Sequence, residues 1–156
     1  MDLINTNTAT VRHTVDTDVQ ALVSRSVRKW LNTCPDKPCS IAMEYLPDDF
    51  GIALSVTETA YKVKQYITGG YLAAYECDLI YRCMPSTDDE RVEADELLDG
   101  LAHWATHARS GLLIAGCHVR KVSQTSLSTL SARYSNGAED HTTHLSIQFE
   151  VISHVL

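Results

Sequence analysis

Apolar positions along the chain follow two spacings, and the spacing changes from element to element. Val19, Leu22, Val23, Val27, Trp30 and Leu31 recur at three- and four-residue steps, which predicts one buried stripe on a helix over residues 17–33. Asp16 or Thr17 suits its start, Arg25, Arg28 and Lys29 suit the negative end of its dipole, and Pro35 and Pro38 stop it. Short strands follow at 40–45, 52–56 and 60–67, separated by a turn at Leu46–Gly51 and closed by Thr68-Gly69-Gly70. Tyr71–Cys83 alternates most cleanly. Its odd positions are Tyr71, Ala73, Tyr75, Cys77, Leu79, Tyr81 and Cys83, and its even positions include Glu76, Asp78 and Arg82.

Thr87-Asp88-Asp89-Glu90 has the form of a capping box and predicts a second helix to about Ala108, with Val92, Leu97, Leu98, Leu101, Ala102, Trp104 and Ala105 as its stripe. In the last third, 117–123 and 127–134 read as two strands that pair with each other, Asn136-Gly137 as a turn, and Thr142–Ser153 as the closing strand. Residues 1–15 carry no period and read as a flexible N-terminal arm, with Leu3, Ile4 and Val11 as docking spots. Residues 16–156 then form a single α+β domain: a mainly antiparallel sheet with two principal helices packed on one side.

Composition narrows what such a domain does. At 156 residues, 44% hydrophobic and 21% charged, the chain suits one folded domain with a real core. Twenty acids against thirteen Lys and Arg give a net charge of −7, which argues against general affinity for nucleic acid. No apolar run reaches the roughly 20 residues of a membrane span, and the N-terminus lacks the basic start and apolar stretch of a secretory signal, so a cytosolic origin is expected. Five cysteines, an odd number with no C-x-x-C pair, point to reduced thiols acting as small apolar residues. The negative charge is concentrated. Asp88, Asp89, Glu90, Glu93, Asp95, Glu96 and Asp99 face only Arg91, a net of −6 within one helix. That is either a solvated helix face or a surface set aside for a partner or for repelling polyanions.

Candidate chemistry is thin. His103 and His107 share a helix face and Asp99 lies one turn earlier, so the three are the candidate ligands of a metal-dependent enzyme, although the Glu that zinc-peptidase helices place after the first His is Trp104 here. His141 and His144 flank Asp140 in what reads as a polar turn, and Ser123–Ser131 is rich in hydroxyls without G-x-S-x-G. Phosphate-binding glycine motifs do not occur. Tyr71, Tyr75 and Tyr81 on one face would serve as a base-stacking platform or as core, and surroundings without basic residues favour the core. No catalytic, metal or cofactor site is therefore expected, and an enzyme is not the leading reading.

Several blocks taken in order carry a resemblance: the first amphipathic helix, Tyr45-Leu46-Pro47-Asp48-Asp49, Val63-Lys64-Gln65-Tyr66-Ile67-Thr68-Gly69-Gly70-Tyr71-Leu72, Tyr75-Glu76-Cys77-Asp78-Leu79-Ile80-Tyr81-Arg82, and an acidic capped helix bearing Leu101-Ala102-His103-Trp104. Over residues 17–152 the chain resembles the tail-terminator (tail-completion) proteins of long-tailed bacteriophages, also described as minor capsid proteins. The closing strand, Leu145 to Val151, matches in pattern only. The resemblance implies a structural, non-enzymatic protein of the virion tail or neck, assembled in the bacterial cytoplasm. It implies a ring, usually of six subunits, on the head-proximal end of the tail tube, which ends tube polymerisation and meets the head–tail connector. DNA would pass through the channel without specific binding, and no membrane is involved. On this reading the acids Asp88, Asp89, Glu90, Glu93, Asp95, Glu96 and Asp99 are a candidate channel-facing surface. Pro47, Asp48, Asp49, Phe50 and Gly51 are a candidate loop for contact with the tube or connector. Exposed strand edges would pair between subunits. A neck or head–tail joining protein of similar fold is the alternative.

Overall fold

Five strands and two main helices are built from these patterns in a computed structural model that describes residues 13–152. The elements run α1 (Thr17–Leu31), β1 (Ile41–Met43), β2 (Gly51–Gln65), β3 (Tyr71–Cys83), α2 (Asp88–His107), a single 3₁₀ turn at Arg109–Gly111, β4 (Cys117–Arg133) and β5 (Glu139–Val151). The sheet order is β1-β2-β3-β5-β4, antiparallel except for the short parallel pair β1–β2. The α+β class is as the sequence predicts. Residues 1–12, most of the expected arm, lie outside the described residues. Residues 13–15, also assigned to the arm, run along β2, where the Val15 amide donates to the Ala60 carbonyl and the Lys62 amide to that of His13.

Both helices cover one face of the sheet. The odd residues of β3 meet Val23, Val27, Trp30 and Leu31 of α1, and Leu98, Leu101, Ala102 and Ala105 of α2, with Leu145, Ile147 and Phe149 of β5 completing the core. Tyr75 is fully buried, and its hydroxyl lies 2.9 Å from Ser24 Oγ on α1. Trp30 and Trp104 join the two helices, with ring centroids 5.4 Å apart, and Trp30 Nε1 donates to the Ala108 carbonyl. Tyr71 and Tyr81 are buried like Tyr75, so the tyrosine row is core and not a stacking platform.

Two corrections concern strand continuity. The expected strands 52–56 and 60–67 are one strand, β2, and 117–123 and 127–134 are one strand, β4, which pairs with β5 and not with itself. The apparent breaks are register shifts: two lie between Val56 and Tyr61, and others fall between Gln124 and Thr129. An extra residue in one strand reverses which side chains face inward, so alternation fails although the backbone stays extended.

The two sheet edges differ. The β2 edge is covered by β1 from Ile52 to Leu54, by the Glu44 carboxylate on the Val56 amide, by Gln20 Oε1 on the Ala60 amide, and then by residues 13–15. Among the described residues β4 pairs only with β5. Its outer side holds Val122–Ala132, eleven residues without a charge, a Gly or a Pro.

Candidate assembly surfaces

Helix α2 begins where expected, with Thr87 accepting from the Glu90 amide, but the reciprocal half of the box is displaced by one residue: the Glu90 carboxylate accepts from the Ser86 amide and not from that of Thr87. Its seven acids then divide by angular position. Asp88, Asp89, Glu93 and Glu96 are exposed, Asp88 pairing with Arg91 at 3.0 Å. Asp95 and Asp99 are turned toward the sheet, which corrects their place in an open acidic surface. Asp99 Oδ1 accepts from the Ser128 amide and from Gln124 Nε2, both at 2.8 Å. Asp95 Oδ1 accepts from Ser128 Oγ and from His141 Nδ1, also both at 2.8 Å. Two consecutive helical turns thus grip β4 where its register breaks. The signal was present in the spacing, because Asp95 and Asp99 border the buried Leu98 and Ala102.

The same contacts bear on catalysis. Ser128, Asp95 and His141 are joined with the carboxylate in the middle, whereas activation of a serine requires the imidazole between hydroxyl and carboxylate. His141 is 1% exposed; its Nε2 has no hydrogen-bond partner and lies 3.6 Å from Glu139 Oε1. His103 and His107 do share a face, with ring centroids 4.3 Å apart, and His107 Nδ1 sits 2.9 Å from the His103 carbonyl. Asp99 is engaged on β4, so it does not complete a metal site with them. Among the described residues no group of three or more His, Cys, Asp or Glu is arranged to hold a metal. All five cysteines are free thiols; burial pushes the Cys83 thiol up to about 11 and raises that of Cys77 further, which disfavours the reactive thiolate.

His141 and His144 are not in a turn. Both lie in β5, three residues apart, and therefore point to opposite faces. His144 lies on the face away from the helices, between Asp78 at 2.7 Å and Glu76 at 2.8 Å, one carboxylate on each ring nitrogen. Burial opposes its positive charge, but the bonds to Glu76 and Asp78 outweigh it and raise its pKa above the ordinary histidine value. Glu76 also accepts from Ser146 Oγ, and Glu150 from the Tyr66 hydroxyl. No short motif marks this laced polar face. Its signal was the run of even positions Glu76, Asp78 and Arg82 opposite His144, Ser146 and Asp140.

The candidate contact loop is held at the end of the sheet where β3 finishes. Arg82 makes two bonds to Asp140 at 2.7 and 2.9 Å, donates to the Pro47 carbonyl and the Tyr134 hydroxyl, and stacks its guanidinium 4.5 Å from the Tyr134 ring centroid. Burial pushes the Asp140 carboxyl up, but the bonds from Arg82 and Tyr134 prevail and hold it below the ordinary carboxylate range. Asn136 donates to the Asp48 carbonyl, tying the loop to the β4–β5 turn, and Phe50 packs edge-on against Tyr81. Pro47, Asp48, Asp49 and Phe50 are exposed, while Gly51 is buried and opens β2, so it does not belong to the exposed loop. No protein-family model matches the chain, and no curated protein matches it significantly.

Proposed function

We propose that this chain is a structural protein of a long-tailed bacteriophage: a tail terminator that forms a ring, by the resemblance of six subunits, on the head-proximal end of the tail tube. One observation carries the reading. The blocks that resemble the family fall, in order, within one α+β domain. Tyr45–Asp49 lies in the loop fastened by Arg82, Val63–Leu72 spans the β2–β3 hairpin, Tyr75–Arg82 lies in the central strand, and Leu101–Trp104 is the helical turn that meets Trp30.

The mechanism is assembly, not catalysis. Unlike surfaces on successive copies meet, and rotation closes the ring. The ring stops tube growth and offers the connector its upper surface. Asp88 and Asp89, solvent-facing at the start of α2, suit the wall of a channel through which DNA passes, because fixed negative charge keeps phosphates from adhering. The exposed side chains of Tyr45, Phe50 and Met84 suit the loop's contact with tube or connector. The product resides in the virion tail or neck after assembly in the host cytoplasm.

The test is negative-stain microscopy of the purified protein, alone and mixed with the tail-tube protein of the same phage. Rings seated at one tube end, with tube length limited, are expected. Tubes that grow unchecked beside compact particles would overturn the terminator reading, and binding to the connector alone would move the protein to the neck.

A further inference from the structure

The β2–β3 hairpin ends in Ile67, whose side chain is as exposed as in an extended peptide, at 106%. Val63 beside it is 48% exposed. Residues 59–75 contain Lys62 and Lys64 and no acid. Lys62 rests over the Tyr71 ring, and Lys64 is exposed. The tip is therefore an apolar knob with positive charge behind it.

A surface of opposite character runs along the side of α2. Two hollows, of 250 and 380 Å³, share Leu97 as a common wall. The first is floored by Cys34, Leu97, Leu101 and Trp104 and edged by Asp36, Lys37 and Glu96. The second is floored by Phe50, Tyr81, Ala94 and Leu97 and edged by Glu90 and Glu93. Four acids against one lysine thus border an apolar groove. Glu90 is already bonded to Ser86, which leaves Asp36, Glu93 and Glu96 as the exposed carboxylates.

Knob and groove cannot meet within one molecule. The hairpin leads into β3 at Tyr71, while the second hollow lies against Tyr81 and Cys83 at the other end of that strand, about 40 Å away at 3.4 Å per residue. We infer that the β2–β3 hairpin of one copy seats Ile67 in the α2 groove of a second copy, with Lys64 facing Glu93 and Glu96. The occupant is a copy of this chain because the chain itself carries both halves, complementary in charge and in polarity. A contact between two different surfaces on identical molecules is head-to-tail, and it closes as a ring or runs on as a filament. The inference rests on the ring reading and gives the subunit contact its residues. Glu93 and Glu96 then meet a neighbour, Glu90 stays bonded to Ser86 at the groove's edge, and of the exposed acids of α2 Asp88 and Asp89 remain for a channel wall.

The experiment places the photo-cross-linker p-benzoyl-phenylalanine at position 67 of the full chain and maps the products by mass spectrometry, alongside light scattering over a concentration series. Expected are cross-links from position 67 to residues 34–37 or 90–104 of a second copy. Ile67→Asp and Lys64→Glu should each weaken self-association about tenfold or more, as loss of an interface anchor does. The pair Lys64→Glu with Glu96→Lys should restore it, and Arg25→Glu, the same charge change on α1, should leave it unaltered. Cross-links that map elsewhere on a second copy overturn the hairpin–groove contact and leave self-association standing. A chain that stays monomeric and uncross-linked also overturns the contact, while the ring reading still faces its separate test at tube ends.

Discussion

Replacing Asp99 by alanine tests whether the acids of α2 divide into structural and free groups. The carboxylate accepts two hydrogen bonds at 2.8 Å, from the Ser128 amide and from Gln124 Nε2. Bonds to a charged partner contribute about 1.5–3 kcal/mol each. Gln124 also donates to Thr143 Oγ1 and can turn, but the Ser128 amide is fixed in the backbone of a residue 7% exposed. A loss of about 2–4 kcal/mol follows, the upper end if both donors are left without a partner. For a domain of this length each kcal/mol moves Tm by about 2–4 °C, so a fall of roughly 4–16 °C is expected. Asp89→Ala, exposed in the first turn of the same helix, loses only its attraction to the helix dipole and should stay within about 1 kcal/mol. Asp99→Asn keeps an oxygen acceptor without the charge and should fall between the two. Urea titration followed by tryptophan fluorescence and circular dichroism measures all three. The contrast should persist at 1 M salt, because these are direct bonds and not long-range attraction. Equal stabilities for Asp99→Ala and Asp89→Ala, to within about 0.5 kcal/mol, would refute the division.

Three further outcomes follow from the described contacts. Arg82→Met should cost about 3–5 kcal/mol, because it strands Asp140, only 6% exposed, and releases the Pro47 loop; adding Asp140→Leu should recover much of the loss, as read by urea midpoint. The raised pKa of His144 means that its stabilisation is complete below the ordinary histidine value of about 6.5 and is lost as pH rises through the folded-state value; the lowered pKa of Asp140 means the reverse, with stability lost as pH falls below the ordinary carboxylate range. His144→Asn should flatten the neutral-to-alkaline limb and Asp140→Asn the acid limb of a stability–pH curve. Gly137→Ala should destabilise by about 1 kcal/mol, since the residue sits at φ +93, whereas Gly100→Ala, with nothing within 4 Å of the added carbon, should stabilise by about 1 kcal/mol; thermal melts give the two signs.

The amphipathic periods made both helices and the β3 and β5 strands legible, because burial on one face leaves a regular trace in the sequence. The continuity of β2 and β4 was not legible. Thr57-Glu58-Thr59 and Gln124-Thr125-Ser126 look like interruptions because a bulge shifts the phase of alternation while costing the strand no length. The same phase shift makes β4 look like a hairpin, although Asn136-Gly137 marks the true one. The polar neighbours of His141 and His144 suggest a turn, yet an odd separation within a strand assigns them to opposite faces. Which acids of α2 bond to β4 depends on a partner strand distant in sequence, and only their position beside Leu98 and Ala102 hinted at it. The groove beside α2 draws on Cys34, Phe50 and Tyr81 as well as the helix, so no local pattern announces it.

The unequal edges of the sheet set its valency. In polymer terms a strand-pairing unit with two vacant edges is bifunctional and propagates, whereas one with a single vacant edge is a chain stopper. Among the described residues the β2 side is occupied from Ile52 to Lys62, and β1 outside it is only three residues long with its Ile41 amide and carbonyl bonded to Asn32, so the long edge of β4, interrupted at the Ser128 amide by Asp99, is the main site for backbone pairing, and two copies joined through it would use up each other's edge. Any larger closed assembly of this chain must then set its subunit number through side-chain surfaces. Detachment of β1 and residues 13–15 would restore the second valence, turning a self-limiting sheet into one able to polymerise without end.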